Sequence, residues 1–315
     1  MIVPRSASRL AEPAETPPPV GRSARTLSKG LLRALRPKQW VKNVLVLAAP
    51  GAAGVLTRPH PLLVSLAAAG IFCMVASAVY LINDSLDVEA DRQHPTKCHR
   101  PIAAGVVPVR LAQALGVGLM AGGVGLAWVL AGQDLTVVMG AYVVINLAYS
   151  TWLKHEAVVD LAAVSTGFIL RAIAGGVAIG VPLSTWFILV ASFGSLFMVA
   201  GKRSAEQATL GEDQASHRAT LAAYSPDFLR YVRTLASAVT ITAYCLWAFE
   251  KAGPAGHAAI WFELSIAPFV IAILRYALLI DQGFGAAPEE VVLRDRVLLV
   301  LGLVWAGLFA LGVYG

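Results

Sequence analysis

Residues 62–92 read LLVSLAAAGIFCMVASAVYLINDSLDVEADR. From Leu62 to Asn83 the run carries no Asp, Glu, Lys or Arg. A charge-free stretch of about 20 residues crosses a bilayer as a helix. Asp84, Asp87 and Asp91 follow at once. If the helix continues at about 100° per residue with Asp84 at 0°, Asp87 falls near 300°, Asp91 near 340°, Asn83 near 260° and Tyr80 near 320°. Glu89 falls on the other side, near 140°. Three carboxylates and an amide thus share one stripe at the end of an apolar helix, where charge is costly unless it is offset. Oxygen ligands of this kind suit Mg²⁺, which keeps several waters and bridges to phosphate. Asn83, Asp84, Asp87 and Asp91 are the expected metal ligands, and the three aspartates the expected catalytic centre.

The rest of the chain agrees with a membrane setting. Of its 315 residues, 57% are hydrophobic and 14% charged, against roughly 25% charged in a soluble protein. That excludes an ordinary soluble domain. Residues 111–133, 135–153 and 297–315 are also free of charge. The run 172–201 is broken by Gly180-Val181-Pro182, giving spans near 158–180 and 184–201. Adding 43–57, 232–249 and 258–280 makes nine expected transmembrane helices in an all-α bundle. Residues 1–30, rich in Pro and Arg, read as a disordered cytoplasmic tail, and 31–315 as one transmembrane catalytic domain. With the N-terminus inside, 22 of the 25 Lys and Arg fall in the tail and inside loops, and only Arg58 and Lys251 lie outside. This asymmetry fits a multi-pass plasma-membrane protein.

Cations crowd the same side. Lys38 and Lys42 open the first span, Arg92, Lys97 and Arg100 follow the acidic motif, Lys154 ends the fourth span, and Lys202-Arg203 opens the second long inside loop. Carboxylates suited to Mg²⁺ beside several Lys and Arg make a site for a polyanion with phosphates at both ends. Arg171 shares a helical face with Asp160, as either a functional cation or a structural pair. Cys73, Cys98 and Cys245 lie far apart with no metal spacing, and the histidines have no Ser or Cys partner that would suggest a triad.

Asn83-Asp84-x-x-Asp87-x-Glu89-x-Asp91-Arg92 with Lys97-x-x-Arg100-Pro101-Ile102 resembles the first aspartate-rich motif of the UbiA superfamily of intramembrane prenyltransferases. The resemblance covers about residues 36–315. The usual members carry a second aspartate-rich motif after the sixth span, where this chain has Gly201-Lys202-Arg203-x-x-Glu206. With Arg36-Pro37-x-Gln39-Trp40-Val41-Lys42-Asn43, Leu153-Lys154-His155 and Arg171-Ala172-Ile173-Ala174-Gly175-Gly176, this looks like the actinobacterial branch that transfers phosphoribose to decaprenyl phosphate.

That resemblance implies Mg²⁺-dependent transfer from 5-phosphoribosyl 1-diphosphate to a polyprenyl phosphate, releasing pyrophosphate and feeding arabinan cell-wall synthesis. Tyr80, Asn83, Arg92, Lys97, Arg100 and Asp160 join Lys38, Lys42, Lys154, Arg171, Lys202 and Arg203 as expected substrate-binding residues. The Gly/Ala-rich helices suit a homo-oligomer, and no nucleic-acid partner is expected. Two other functions compete: prenylation of an aromatic acceptor on the same fold, and transport of an anionic lipid or metabolite.

Overall fold

A computed structural model describes residues 24–210, 219–284 and 288–315. The expected tail therefore lies mostly outside the described residues. Its last part is described: α1 (Ala24–Ala34) is helical. Leu27, Leu31 and Ala34 repeat at helical spacing and pack with Leu81, Ile102 and Val107. Gly30 permits this contact, because a Cβ there would stand 2.7 Å from Val106 Cγ1.

After α1 the chain turns at Arg36, whose φ of 53° is left-handed. It continues as a 3₁₀ segment, Pro37–Leu47, and the short α2 (Ala48–Ala52). The expected span at 43–57 is therefore not a helix of membrane length. Its backbone is pressed against α6 (Val159–Ala178), where a Cβ on Gly175 would lie 1.7 Å from the Val46 carbonyl oxygen.

The acidic motif follows α3 (Pro59–Leu86), and a second helix, α4 (Val88–Gln93), starts after a break at Asp87. Next comes α5 (Val109–Thr151), with 43 residues and non-helical angles at Ala131 and Gly132. At about 1.5 Å per residue, it would span roughly 65 Å if straight, twice the hydrocarbon thickness. The two expected spans 111–133 and 135–153 thus correspond to the two helical halves of α5, which meet at the kink Ala131-Gly132. Met120 and Ala127 before the bend, and Leu135, Met139 and Tyr142 after it, share a core with Phe72 and Val75 of α3.

The remaining expected spans form close to their predicted positions. They are α6, α7 (Thr185–Leu210), α9 (Pro226–Ala252), α10 (Ala259–Asp281) and α12 (Arg296–Tyr314); the short α8 (Ala219–Ala222) and α11 (Pro288–Arg294) lie between them. Gly180, at φ 67°, ends the turn between α6 and α7. Among the described residues seven helices, not nine, are long and apolar enough to cross a membrane. The difference comes from counting the two halves of α5 as one helix and from the 3₁₀ start. The described elements are all helical. A second core joins α7, α9, α10 and α12 through Phe197, Ala236, Tyr276, Ile280 and Leu298.

Candidate active site

The aspartate stripe drawn on a continuous helix does not survive. The α3 helix ends at Leu86, and Asp87 has φ −89° and ψ 9°. Asp91 therefore projects from α4 rather than from the stripe. The three carboxylates are instead gathered by cations from other elements. Arg36 donates Nη2 to both oxygens of Asp84 at 2.7 Å. Arg100 Nη1 bridges Asp84 Oδ1 at 3.1 Å and Asp91 Oδ2 at 2.6 Å. Lys154 Nζ reaches Asp87 Oδ1 at 2.8 Å from the connection between α5 and α6. Asp84 and Asp91 are buried, whereas the Asp87 side chain is 30% exposed.

Arg36 was not among the expected site residues, although it opens the quoted Arg-Pro-x-Gln-Trp stretch. It lies over the Tyr80 ring at 4.6 Å, so Tyr80 serves the site by seating this guanidinium. Its left-handed backbone is a local outlier for a non-glycine residue and carries the side chain back over α3. Trp40 Nε1 donates to Ser77 Oγ, and Ser77 in turn donates to the Leu35 carbonyl, which fixes this turn on α3. A cavity of about 230 Å³ opens here, lined by Arg33, Arg36, Asp84, Thr96, His99 and Arg100. Arg33 and His99 were also missed, because only the folded chain brings the end of α1 beside the loop after α4.

Other expected residues fall into two groups. Lys38 is exposed and Lys42 half-buried on the 3₁₀ segment, Lys97 is half-buried, and Arg92 pairs with Glu89 at the surface while donating Nε to the Ala103 carbonyl. Lys202 is 43% exposed and 3.8 Å from Glu206. The second group is interior. Arg171 does not pair with Asp160: it donates to Asn43 Oδ1, the Gly167 carbonyl and Tyr142 Oη at 2.7–2.8 Å. Arg203 is buried too, donating to Asp160 at 3.2 Å, Glu206 at 2.8 Å and Tyr149 at 3.3 Å. Asp160 is fully buried and also accepts from the Tyr224 hydroxyl. Asp160, Arg171 and Arg203 are thus engaged in interior hydrogen-bond networks, while Lys202 is the cation of its motif that meets solvent.

No group of three or more His, Cys, Asp or Glu stands close enough to cage a metal ion among the described residues. Mg²⁺ does not require such a cage, since it commonly takes one or two carboxylates with phosphate oxygens and water. Half-exposed Asp87 beside Asn83 fits that need, and Asp84 Oδ1 with Asp91 Oδ2 already converge on one positive centre at Arg100. The donor set suits a metal that arrives with a phosphate substrate.

An all-helical membrane bundle with an aspartate-and-arginine cluster at one end of its third helix defines the class as an intramembrane transferase fold. The model of the UbiA prenyltransferase family matches residues 44–301, and the chain belongs to that family. It is 49% identical over 293 residues to the decaprenyl-phosphate phosphoribosyltransferase of Corynebacterium glutamicum, covering 92% of this chain and 88% of that one. The protein of the same name from Mycobacterium tuberculosis is 49% identical over 300 residues, covering 94% and 96%. A UbiA homologue from Archaeoglobus fulgidus, solved bound to GPP and Mg²⁺, superposes with a TM-score of 0.69 at 18% identity, over 90% of this chain and 98% of that one.

Proposed function

We propose that the protein transfers the 5-phosphoribosyl group of 5-phosphoribosyl 1-diphosphate to decaprenyl phosphate or a similar polyprenyl phosphate, with release of pyrophosphate. The observation that carries this reading is the charge layout. Half-exposed Asp87 and buried Asp84 and Asp91 meet cations that keep access to solvent at the end of α3, and the sequence has Lys202 and Arg203 where the family resemblance leads one to expect a second acidic motif for a prenyl diphosphate. The names of the two relatives support it at 49% identity.

Bound Mg²⁺, held by Asp87 with Asn83, Asp84 and Asp91, would neutralise the leaving diphosphate. Arg36, Arg100 and Lys154 each grip a carboxylate and can turn their remaining donors to phosphate oxygens. The C1–O bond to the diphosphate breaks and an oxygen of the lipid phosphate bonds to C1. The acceptor is already an anion, so no side chain has to remove a proton. Lys202 and the exposed Lys38 suit the lipid phosphate at the membrane surface. The N-terminus and this face are assigned to the cytoplasm of the plasma membrane, with a homo-oligomer of the whole chain as the working assembly.

The test is a product assay on purified protein with Mg²⁺, polyprenyl phosphate and labelled 5-phosphoribosyl 1-diphosphate, run beside prenyl diphosphate with 4-hydroxybenzoate. Label should enter the lipid phase and EDTA should abolish this. Prenylation of the aromatic acid would replace the proposal with the other chemistry of this fold. Uptake of intact label by vesicles without product would favour transport.

A further inference from the structure

The connection between α5 and α6 delivers Lys154 to Asp87, and it is held in an unfavourable shape. Val158, its last residue, has φ 69° and ψ −44°. A β-branched side chain rarely adopts positive φ, so the surroundings must impose it. Two residues of the segment between α7 and α9 do so. Thr220 donates Oγ1 to the carbonyl of Lys154 itself, at 3.1 Å. Tyr224 Oη accepts the Val158 N–H at 2.7 Å and donates to Asp160 Oδ1 in the first turn of α6. Burial, and then the bond to Asp160, push the Tyr224 hydroxyl above its ordinary range, so it keeps the proton it donates.

Tyr224 is itself firmly seated. Gln207 donates to its carbonyl at 2.6 Å, and its ring stacks on Phe228 among Leu161, Val199 and Leu229. Asp160 Oδ2 meanwhile accepts from Arg203. One end of the connection is therefore bolted to the α7 side of the molecule, while its lysine works on the α3 side.

We propose that Tyr224, assisted by Thr220, is a positioning residue that holds the strained 152–158 connection so that Lys154 is presented at the phosphate site. This rests on the proposed function, in which Lys154 serves the diphosphate. A displaced catalytic group commonly costs one to two orders of magnitude in rate, so the effect is measurable.

The experiment measures kcat and KM for 5-phosphoribosyl 1-diphosphate in detergent-purified Tyr224→Phe, Thr220→Val, Lys154→Met and the double variant Tyr224→Phe/Lys154→Met. Tyr224→Phe should lower kcat/KM about tenfold and Thr220→Val less, and the double variant should fall no further than Lys154→Met alone. Val158→Gly, which accepts positive φ without strain, should restore most of the loss in the Tyr224→Phe background. A brace that only stabilises the fold would lower the melting temperature, and its rate losses would multiply with those of Lys154→Met. That result, or full activity in Tyr224→Phe, overturns the proposal. If Tyr224→Phe does not fold, Thr220→Val with Lys154→Met decides it by the same criterion. Full activity in Lys154→Met would instead overturn the assignment of Lys154 to the phosphates, and this proposal with it.

Discussion

Two helices, α3 and α7, carry ion-pair clusters of opposite charge whose cations differ in exposure. At the end of α3 the helix region supplies the acids, and the cations come from afar: Arg36, Arg100 and Lys154. In the last third of α7 the helix supplies the cations, and Asp160 comes from α6. In the first cluster the partners keep access to solvent, 28% for Arg36, 26% for Arg100 and 18% for Lys154. In the second, Arg203 and Asp160 are sealed at 5% and 0%. Cations that keep part of their surface in solvent can turn donors to a ligand, even where the acids they hold are buried, as Asp84 and Asp91 are. A buried pair is expensive to disturb, because removing one partner strands the other charge. The α3 end is thus suited to chemistry and the α7 end to holding shape, with Lys202 as the exception at its rim.

Breaking the comparison at the acidic end should have the largest effect on turnover. Asp87→Ala is expected to reduce kcat by at least about 10²–10³-fold, the scale for removing one group that stabilises developing charge. It should leave the size-exclusion profile in detergent unchanged. Full activity would remove Asp87 from the chemistry.

The buried end should answer in stability instead. Asp160→Ala leaves Arg203 with Glu206 and Tyr149 only, and should cost about 3–5 kcal/mol, the usual penalty for stranding a buried charge. A thermal melt followed by intrinsic fluorescence reads this. An unshifted melt would mean that the α7 end is as exchangeable as the α3 end.

Lys202→Ala sharpens the contrast with the smallest effect. Losing one charge-assisted contact of about 1.5 kcal/mol should raise KM for polyprenyl phosphate roughly tenfold, with kcat nearly unchanged. A loss confined to kcat would move Lys202 from the lipid phosphate to the reacting centre.

Much of this was legible in the chain. The charge-free runs gave the helices, because hydrocarbon tolerates no unpaired backbone and few charges. Asp84, Asp87 and Asp91 stood out because carboxylates directly after such a run need a partner. The partners themselves were only half legible. Arg100 and Lys154 were named as substrate cations, and the fold also sets them on aspartates. Arg36 was overlooked, because nothing in a row of basic residues tells which one turns back through a left-handed residue. Arg171 was visible as an intramembrane charge, but its choice of Asn43, Gly167 and Tyr142 over Asp160 joins residues from three elements.

Local sequence settled what depends on local physics: most of the segments that form membrane-length helices, though not 43–57; where Gly180 and Pro182 end a helix; and that one end of the bundle gathers charge. Tertiary structure alone decided how the charges pair and which stay wet. A helix wheel assumes that the helix continues, and α3 stops at Leu86, so the break at Asp87 redirected the acidic motif toward three separate cations. The pairing of Tyr224 with Val158 and Asp160 likewise spans more than sixty residues of chain. Contacts of that range depend on how whole helices pack, and no sequence spacing records them.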